Sequence, residues 1–348
     1  MKREMRKMDV TLSRCTHHGI VLDVSSSGFD KGAATFGSVF ADEDAPDTSL
    51  LFYSGARDVE WSHAAIGLAK SKDGFRFKKI SNTPIFEGSP KSFCYKEALT
   101  PAITRIKNRF YMIFAGKPSD RSFRRLGIAY ADDPEGPWHL IGQLTKATQL
   151  WEGRDIDNGP NVIKLDHETI LVFYSNVTSW KFFDIPAILR RYPIRRIGLL
   201  KVRIRSPSKS GIEVYKFPAN PLKHLNGAKA SWNESVFCPG YIQLDEIHFL
   251  FLAASTYSEG FPCKQYIGVA AGEDPYFSKI KSPPRKLIDG PSQKGSLMPN
   301  IRGAIALDTP SPHLRSEKGE LLLYYSVMDH ADSVWKIALS SFDLPDVG

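Results

Sequence analysis

Five segments of the chain follow one plan: an apolar strand ending in a small or hydroxyl residue, a polar loop, then a second strand shaped like I-G-L-A. The first, from Leu50, is "LLFYSGARDVEWSHAAIGLAKSKDGFRF". The second, from Phe110, is "FYMIFAGKPSDRSFRRLGIAYADDPEGPW", and the third runs from "TILVFYSN" at Thr169 to "RRIGLLKVRIR". The fourth is "IHFLFLAASTYSEGFPCKQYIGVAAGEDP" from Ile247, and the last "LLLYYSVMDHADSVWKIALSSFD" from Leu321. Aligned on Gly67, Gly127, Gly198, Gly268 and Lys336, they are spaced by 60, 71, 70 and 68 residues. A period of this size demands a repeated supersecondary unit.

A shorter strand precedes each unit: "TFGSVF", "TPAITRI", "GPNVIKL", "CPGYIQL" and "MPNIRGAI". Four carry a proline near the strand start, at Pro101, Pro160, Pro239 and Pro299, where no ladder hydrogen bond is lost. Strand follows strand without a convincing amphipathic helix. The expected fold is therefore all-β, a five-bladed β-propeller with four-stranded antiparallel blades around a central channel. A single domain is expected over residues 1–348, with the segment before Asp30 and its strand-like "GIVLDV" (Gly19–Val24) completing the last blade. The third unit alone is irregular, with "VTSWKFFDIPAILRRYPI" reading as an enlarged loop on a basic edge.

Composition narrows the function classes. The net charge of +8 favours anionic partners by long-range attraction. No nucleic-acid reading motif accompanies it. Cys15, Cys94, Cys238 and Cys263 show no C-x-x-C spacing, so neither a zinc knuckle nor a redox pair is suggested. They read as small buried thiols in a reducing compartment. The basic N-terminus lacks the apolar core of a secretory signal, and no run of about 18 apolar residues could span a membrane. A cytoplasmic protein is expected. His63 has no second histidine at a useful spacing, so neither a metal nor another cofactor is expected.

In a propeller the residues just before each inner strand ring one mouth of the channel. Those lead-ins carry Asp30 in "SGFDKGAATFG", Glu97 in "CYKEALTPA", Asp155 and Asp157 in "GRDIDNGPN", and Glu234 in "WNESVFCPG". The fifth, "QKGSLMPN", has no acid. Gathered carboxylates repel and desolvate one another, which separates their pKa values. Such pairs suit glycosidic cleavage, with one acid protonated to donate and one ionised to receive. Glu234, between Trp232 and a wholly apolar strand, is the candidate acid; Arg154 could hold Asp157 ionised. Loops returning to the same mouth offer sugar contacts at Arg57, Trp61, His63, Arg121, Trp180 and Tyr257.

The phrases "FYSGARDVEWSHAAIGLAKSKDGF", "LGIAYADDPEGPW" and "WNESVFCPGYIQLDEIHFLFL" resemble the five-bladed propeller glycosidases of glycoside hydrolase families 43, 32, 68, 117 and 130, over about residues 28–340. The resemblance to family 43 implies an inverting mechanism. It makes Asp30 the base, Asp157 the carboxylate that orients and tunes the acid, and Glu234 the acid. Substrate contacts would then come from Glu97, Arg154, Asp155, Trp61, His63, Trp180 and Tyr257. The expected activity is exo-acting hydrolysis of an arabinoside or xyloside. Two alternatives stay open. One is a family-130-like phosphorylase using Lys117, Arg121, Arg124 and Arg125 for phosphate. The other is a non-catalytic propeller binding glycan or protein.

Overall fold

A computed structural model describes residues 13–41, 47–153, 156, 159–183, 190–229, 231–256, 264–289, 306–315, 319–328 and 334–343. Among these, helix is confined to three short 3-10 turns, and everything else regular is strand.

Apolar runs such as "LLFY" and "MIF" have no polar alternation, which suits strands covered on both faces. The structure realises this as five sets of antiparallel strands. The first set holds β2 (Ala33–Ala41), β3 (Ser49–Ala56), β4 (Ala64–Ser71) and the short β5 (Lys78–Lys79). The second holds β6 (Glu97–Ile106), β7 (Arg109–Lys117), β8 (Arg125–Ala131) and β9 (His139–Thr145). Next come β10 (Asn161–Lys164), β11 (Thr169–Phe183), β12 (Arg190–Ile204) and β13 (Ile212–Lys216). The fourth set is β14 (Ser235–Leu244), β15 (Ile247–Thr256), β16 (Lys264–Gly272) and β17 (Ile280–Asp289). The last joins β18 (Ala306–Arg315), β19 (Glu320–Met328) and β20 (Trp335–Asp343) to β1 (Ser13–Leu22) from the other end of the sequence. The parallel pairs Trp335↔Ala33 and Ala64↔Glu97 link the fifth, first and second sets into one 12-stranded sheet.

Successive residues of each second strand serve opposite seams. Phe52 packs toward Phe114 and Met112 of the second set, while Leu51 and Tyr53 pack toward Leu322 and Leu339 of the fifth. Ile113 and Val172 share the next seam, Phe173 and Leu250 the one after, and Phe251 and Leu323 close the series. Every set is thus buried against a neighbour on each side, the fifth against the first. Full burial of one such side chain contributes about 1.5–3 kcal/mol.

The repeat glycine has a steric cause. A Cβ on Gly67 would strike the rings of Phe29 and Tyr53, and one on Gly127 those of Phe93 and Phe114. On Gly198 it would meet Trp151, and on Gly268 Trp232. Each of these four lead-ins therefore plants one aromatic ring on its own third strand. The hydroxyl ending the "FYS" phrases also has a use. Ser326 Oγ accepts the Phe36 N–H, and Ser54 Oγ the Thr100 N–H, each at 2.8 Å, tying the fifth set to the inner strand of the first and the first set to that of the second.

Four sequence expectations need correction. Tyr325 pairs with Ala338 as Tyr53 pairs with Gly67, so Ala338 rather than Lys336 is the fifth repeat position. The fifth inner strand is β18, not "MPNIRGAI", whose residues lie outside those described. Pro101 and Pro239 sit inside the bulges of β6 and β14 instead of opening the strand, which equally frees them from a ladder bond, whereas Pro160 directly precedes β10 and Pro299 lies outside the described residues. In the third set the enlarged loop continues the sheet, with pairing that reaches Phe183↔Arg190.

Replacing Gly127 by Ala should destabilise the protein by about 1–3 kcal/mol through overpacking. The same change in a Phe93→Ala background should cost less, because one obstructing ring is gone. Chemical denaturation of the four proteins in the cycle measures both.

Candidate active site

Each inner strand carries one left-handed residue at the same register. Phe36, Thr100, Gly159, Cys238 and Thr309 have φ of 48, 53, 78, 47 and 43°. Such values are uncommon outside glycine, and here they mark a bulge between Thr35/Ser38, Leu99/Ala102, Phe237/Gly240 and Asp308/Ser311. Counting back from it makes Ala33, Glu97, Ile156, Ser235 and Ala306 equivalent strand heads. Asp30, Glu97 and Glu234 fall at or before these heads, but their surroundings differ.

Asp30 is wholly buried and sits directly after the anchoring Phe29. Its Oδ2 pairs with Lys79 Nζ at 2.5 Å and accepts the Tyr53 hydroxyl at 3.0 Å, while Oδ1 accepts no hydrogen bond. Burial, then the Asp30 charge, pushes the Tyr53 hydroxyl far up. The third set repeats this cage around Glu152, which follows the anchoring Trp151. Lys216 Nζ lies 2.5 and 2.6 Å from its two oxygens, and Tyr174 donates at 2.6 Å. The Thr148 and Gln149 amides add donors at 2.6 Å each. Burial alone would raise the Glu152 pKa, but Lys216, Tyr174 and the amides outweigh it and hold the carboxyl below its ordinary range. In both sets the lysine comes from the fourth strand and the tyrosine from the second. Nothing in the local sequence around Glu152 announces this; the clue is its place after a lead-in aromatic, as in Phe29-Asp30.

Glu97, 2% exposed, stands at the head of β6 with Lys117 Nζ and Arg124 Nε each 2.8 Å from one of its oxygens. Those cations are consequently engaged by Glu97. Glu234 is 5% exposed and precedes the head of β14. Arg196 Nη1 donates to its carbonyl at 2.8 Å, and to that of Arg195 at 2.9 Å. Burial lowers the Arg196 pKa, and the charge of Glu234 pulls it partly back. Asn226 donates to the same Glu234 carbonyl at 3.2 Å. The backbone of Glu234 is therefore pinned from two sides.

Trp61 stacks on Phe36 with centroids 5.5 Å apart, and Trp335 tilts against the same ring at 5.3 Å. They pack with Ala33, Ala56, Ala64 and Leu99, giving an apolar sector between the fifth, first and second sets. His63 instead points to Glu87, 3.3 Å away, and to the edge of Tyr95. Trp180 lies on the long β11–β12 ribbon, paired in the backbone with Pro193. Arg154, Asp155, Asp157 and Tyr257 fall outside the described residues. The corrected register also brings in an acid absent from the sequence expectation. Asp308, 8% exposed, immediately precedes the fifth bulge and accepts the Thr309 N–H at 2.6 Å. The shared T-P in "LDTPSP" and "ALTPAI" could have revealed it. Among the described residues no group of three or more His, Cys, Asp or Glu is placed to hold a metal, and no helix is long and apolar enough to cross a membrane.

No protein-family model matches the chain, and no curated protein matches it in sequence. Solved structures do match in shape. One titled simply a glycoside hydrolase superposes with a TM-score of 0.67 at 13% identity, covering 95% of this chain and 94% of its own. A family 117 glycoside hydrolase from the marine bacterium Zobellia galactanivorans gives 0.59 at 15%, covering 97% and 92%. The α-L-arabinanase of Cellvibrio cellulosa, complexed with arabinohexaose, gives 0.54 at 14%, covering 88% and 91%. The chain has the all-β propeller fold that these glycoside hydrolases share.

Two outcomes test the cages. Lys79→Met should destabilise by about 3–5 kcal/mol, since it strands a buried carboxylate; adding Asp30→Leu should recover much of that loss in denaturation midpoints. Because the folded pKa of Glu152 is depressed, its stabilisation is present above the unfolded value of about 4.3 and fades as pH falls through the lower folded value. Glu152→Gln/Lys216→Met should flatten the stability–pH curve in that acidic window.

Proposed function

We propose that the chain is an inverting, exo-acting glycoside hydrolase, built as a five-bladed propeller whose five sets are the blades, acting on an arabinoside or xyloside. The observation that carries this is the equivalence of the inner-strand heads, each placed by its own left-handed bulge. Glu234 directly precedes the head residue Ser235, and in the sequence Asp155 and Asp157 flank Ile156, the equivalent head of the third set. Glu234 would protonate the leaving oxygen, with Asp157 orienting it. Trp61, backed by Phe36, offers the apolar surface for the C–H side of a sugar.

For the base, the family pattern names Asp30. Lys79 engages Oδ2, and Oδ1 is the oxygen left to address a water. The matching cage around Glu152 favours a second role, in which Asp30 pins its lead-in. A phosphorylase would have to do without Lys117 and Arg124, which Glu97 already engages.

A panel of aryl glycosides, assayed with and without phosphate, tests the proposal. Turnover should be phosphate-independent, and Glu234→Gln should lower kcat by about 10²–10⁴ at unchanged melting temperature. Unchanged hydrolysis in that variant would instead favour a binding propeller. Asp30→Asn separates its two roles: a base loses kcat with the fold intact, whereas a pin loses stability and keeps kcat.

A further inference from the structure

The inner strands continue past their bulges toward the end of the ring away from the lead-ins, and there they enclose a cavity. Its volume is about 410 Å³, and its walls come from all five sets, including Ser38, Arg105, Lys164, Asn161, Tyr241 and Ser311. The bulges form a waist above it. A Cβ on Gly159 would overlap Cys238, and one on Gly240 the Pro310 carbonyl, so neighbouring strands touch at that level.

The chemistry of this cavity is one-sided. Arg105, Lys107 and Lys164 line it, and no lining residue is acidic among those described. The Arg105 guanidinium lies over the Phe110 ring, 5.4 Å from its centroid. Lys107 pairs at 3.0 Å with Glu168, which lies outside the cavity and is shared with Arg203. Lys164 is exposed and makes no ion pair among the described residues. The neutral groups present donors as well. Asn161 uses its carbonyl to accept the Tyr241 N–H at 3.3 Å, leaving its amide hydrogens, and Ser311 accepts the Val39 N–H at 2.9 Å, leaving its hydroxyl hydrogen. A concave site lined by one sign of charge focuses its field on an anion, and charge-assisted bonds to phosphate oxygens are the strong ones. The volume exceeds the needs of a bare oxyanion and falls in the range of small-molecule sites, about 300–1,000 Å³.

We propose that this far-end cavity binds a phosphorylated, sugar-sized ligand, its phosphate held by Arg105 and Lys164 and its hydroxyls by Asn161, Ser38 and Ser311. The site is independent of the glycosidase proposal. Isothermal titration calorimetry of the full chain at low salt, with a hexose 6-phosphate, inorganic phosphate and the free hexose, tests it. The hexose phosphate should bind one per chain, at least about tenfold more tightly than inorganic phosphate, and the hexose should give no heat. Lys164→Gln, at an exposed position that spares the fold, should weaken binding at least about tenfold, whereas Glu234→Gln should leave it unchanged. Absence of heat with both phosphates overturns the proposal, as does equal affinity for the two. So does binding that is lost in Glu234→Gln and kept in Lys164→Gln, which would put the ligand at the other mouth.

Discussion

Burial on both faces of every strand set is the constraint from which the remaining features follow. A set covered on one side only would leave residues such as Leu51 and Tyr53, or Phe52, against water. Five seams use up all ten faces, the last being made by Leu322 and Leu339 against the first set. The β1–β20 pairing then ties the two ends of the sequence into one sheet. Non-local contacts of this kind are entropically costly to assemble, so the stability of the ring rests on completing all the seams.

The bulges translate that packing into chemistry. A left-handed residue in four sets that is not glycine holds backbone strain at the same height of each inner strand. It bends the head of the strand inward and fixes where the lead-in acid begins. The lead-in is held at its other end by an aromatic ring seated on a glycine. Between those two fixed points few residues remain, and Glu97 and Glu234 lie among them. The Asp30 and Glu152 cages add a third hold in alternate sets. A partly buried lysine cancels each carboxylate, and the second-strand tyrosine satisfies a further lone pair.

Most of the strand plan was legible because two-faced burial writes itself as uninterrupted apolar runs, and because the ring-bearing glycine recurs in I-G-x-A. The fifth unit was misplaced where that glycine is replaced by Ala338 and where its inner strand carries an unfamiliar "LDTPSP". That shift hid Asp308. The β11–β12 ribbon read as a loop because charged and proline residues interrupt its pattern. The Glu152 cage was hidden for a different reason: its lysine lies 64 residues away, a distance across which local sequence carries no signal. For Glu234, the neighbouring Trp232 and the apolar strand that follows pointed to a buried acid, and it is buried.

The separation of the Glu234 and Asp157 carboxyl groups in a crystal structure tests the central claim most directly. Convergence of the strand heads predicts that both open into one cavity, near enough for the Asp157 carboxyl to orient that of Glu234. Carboxyl groups facing separate outer surfaces of the ring would contradict it.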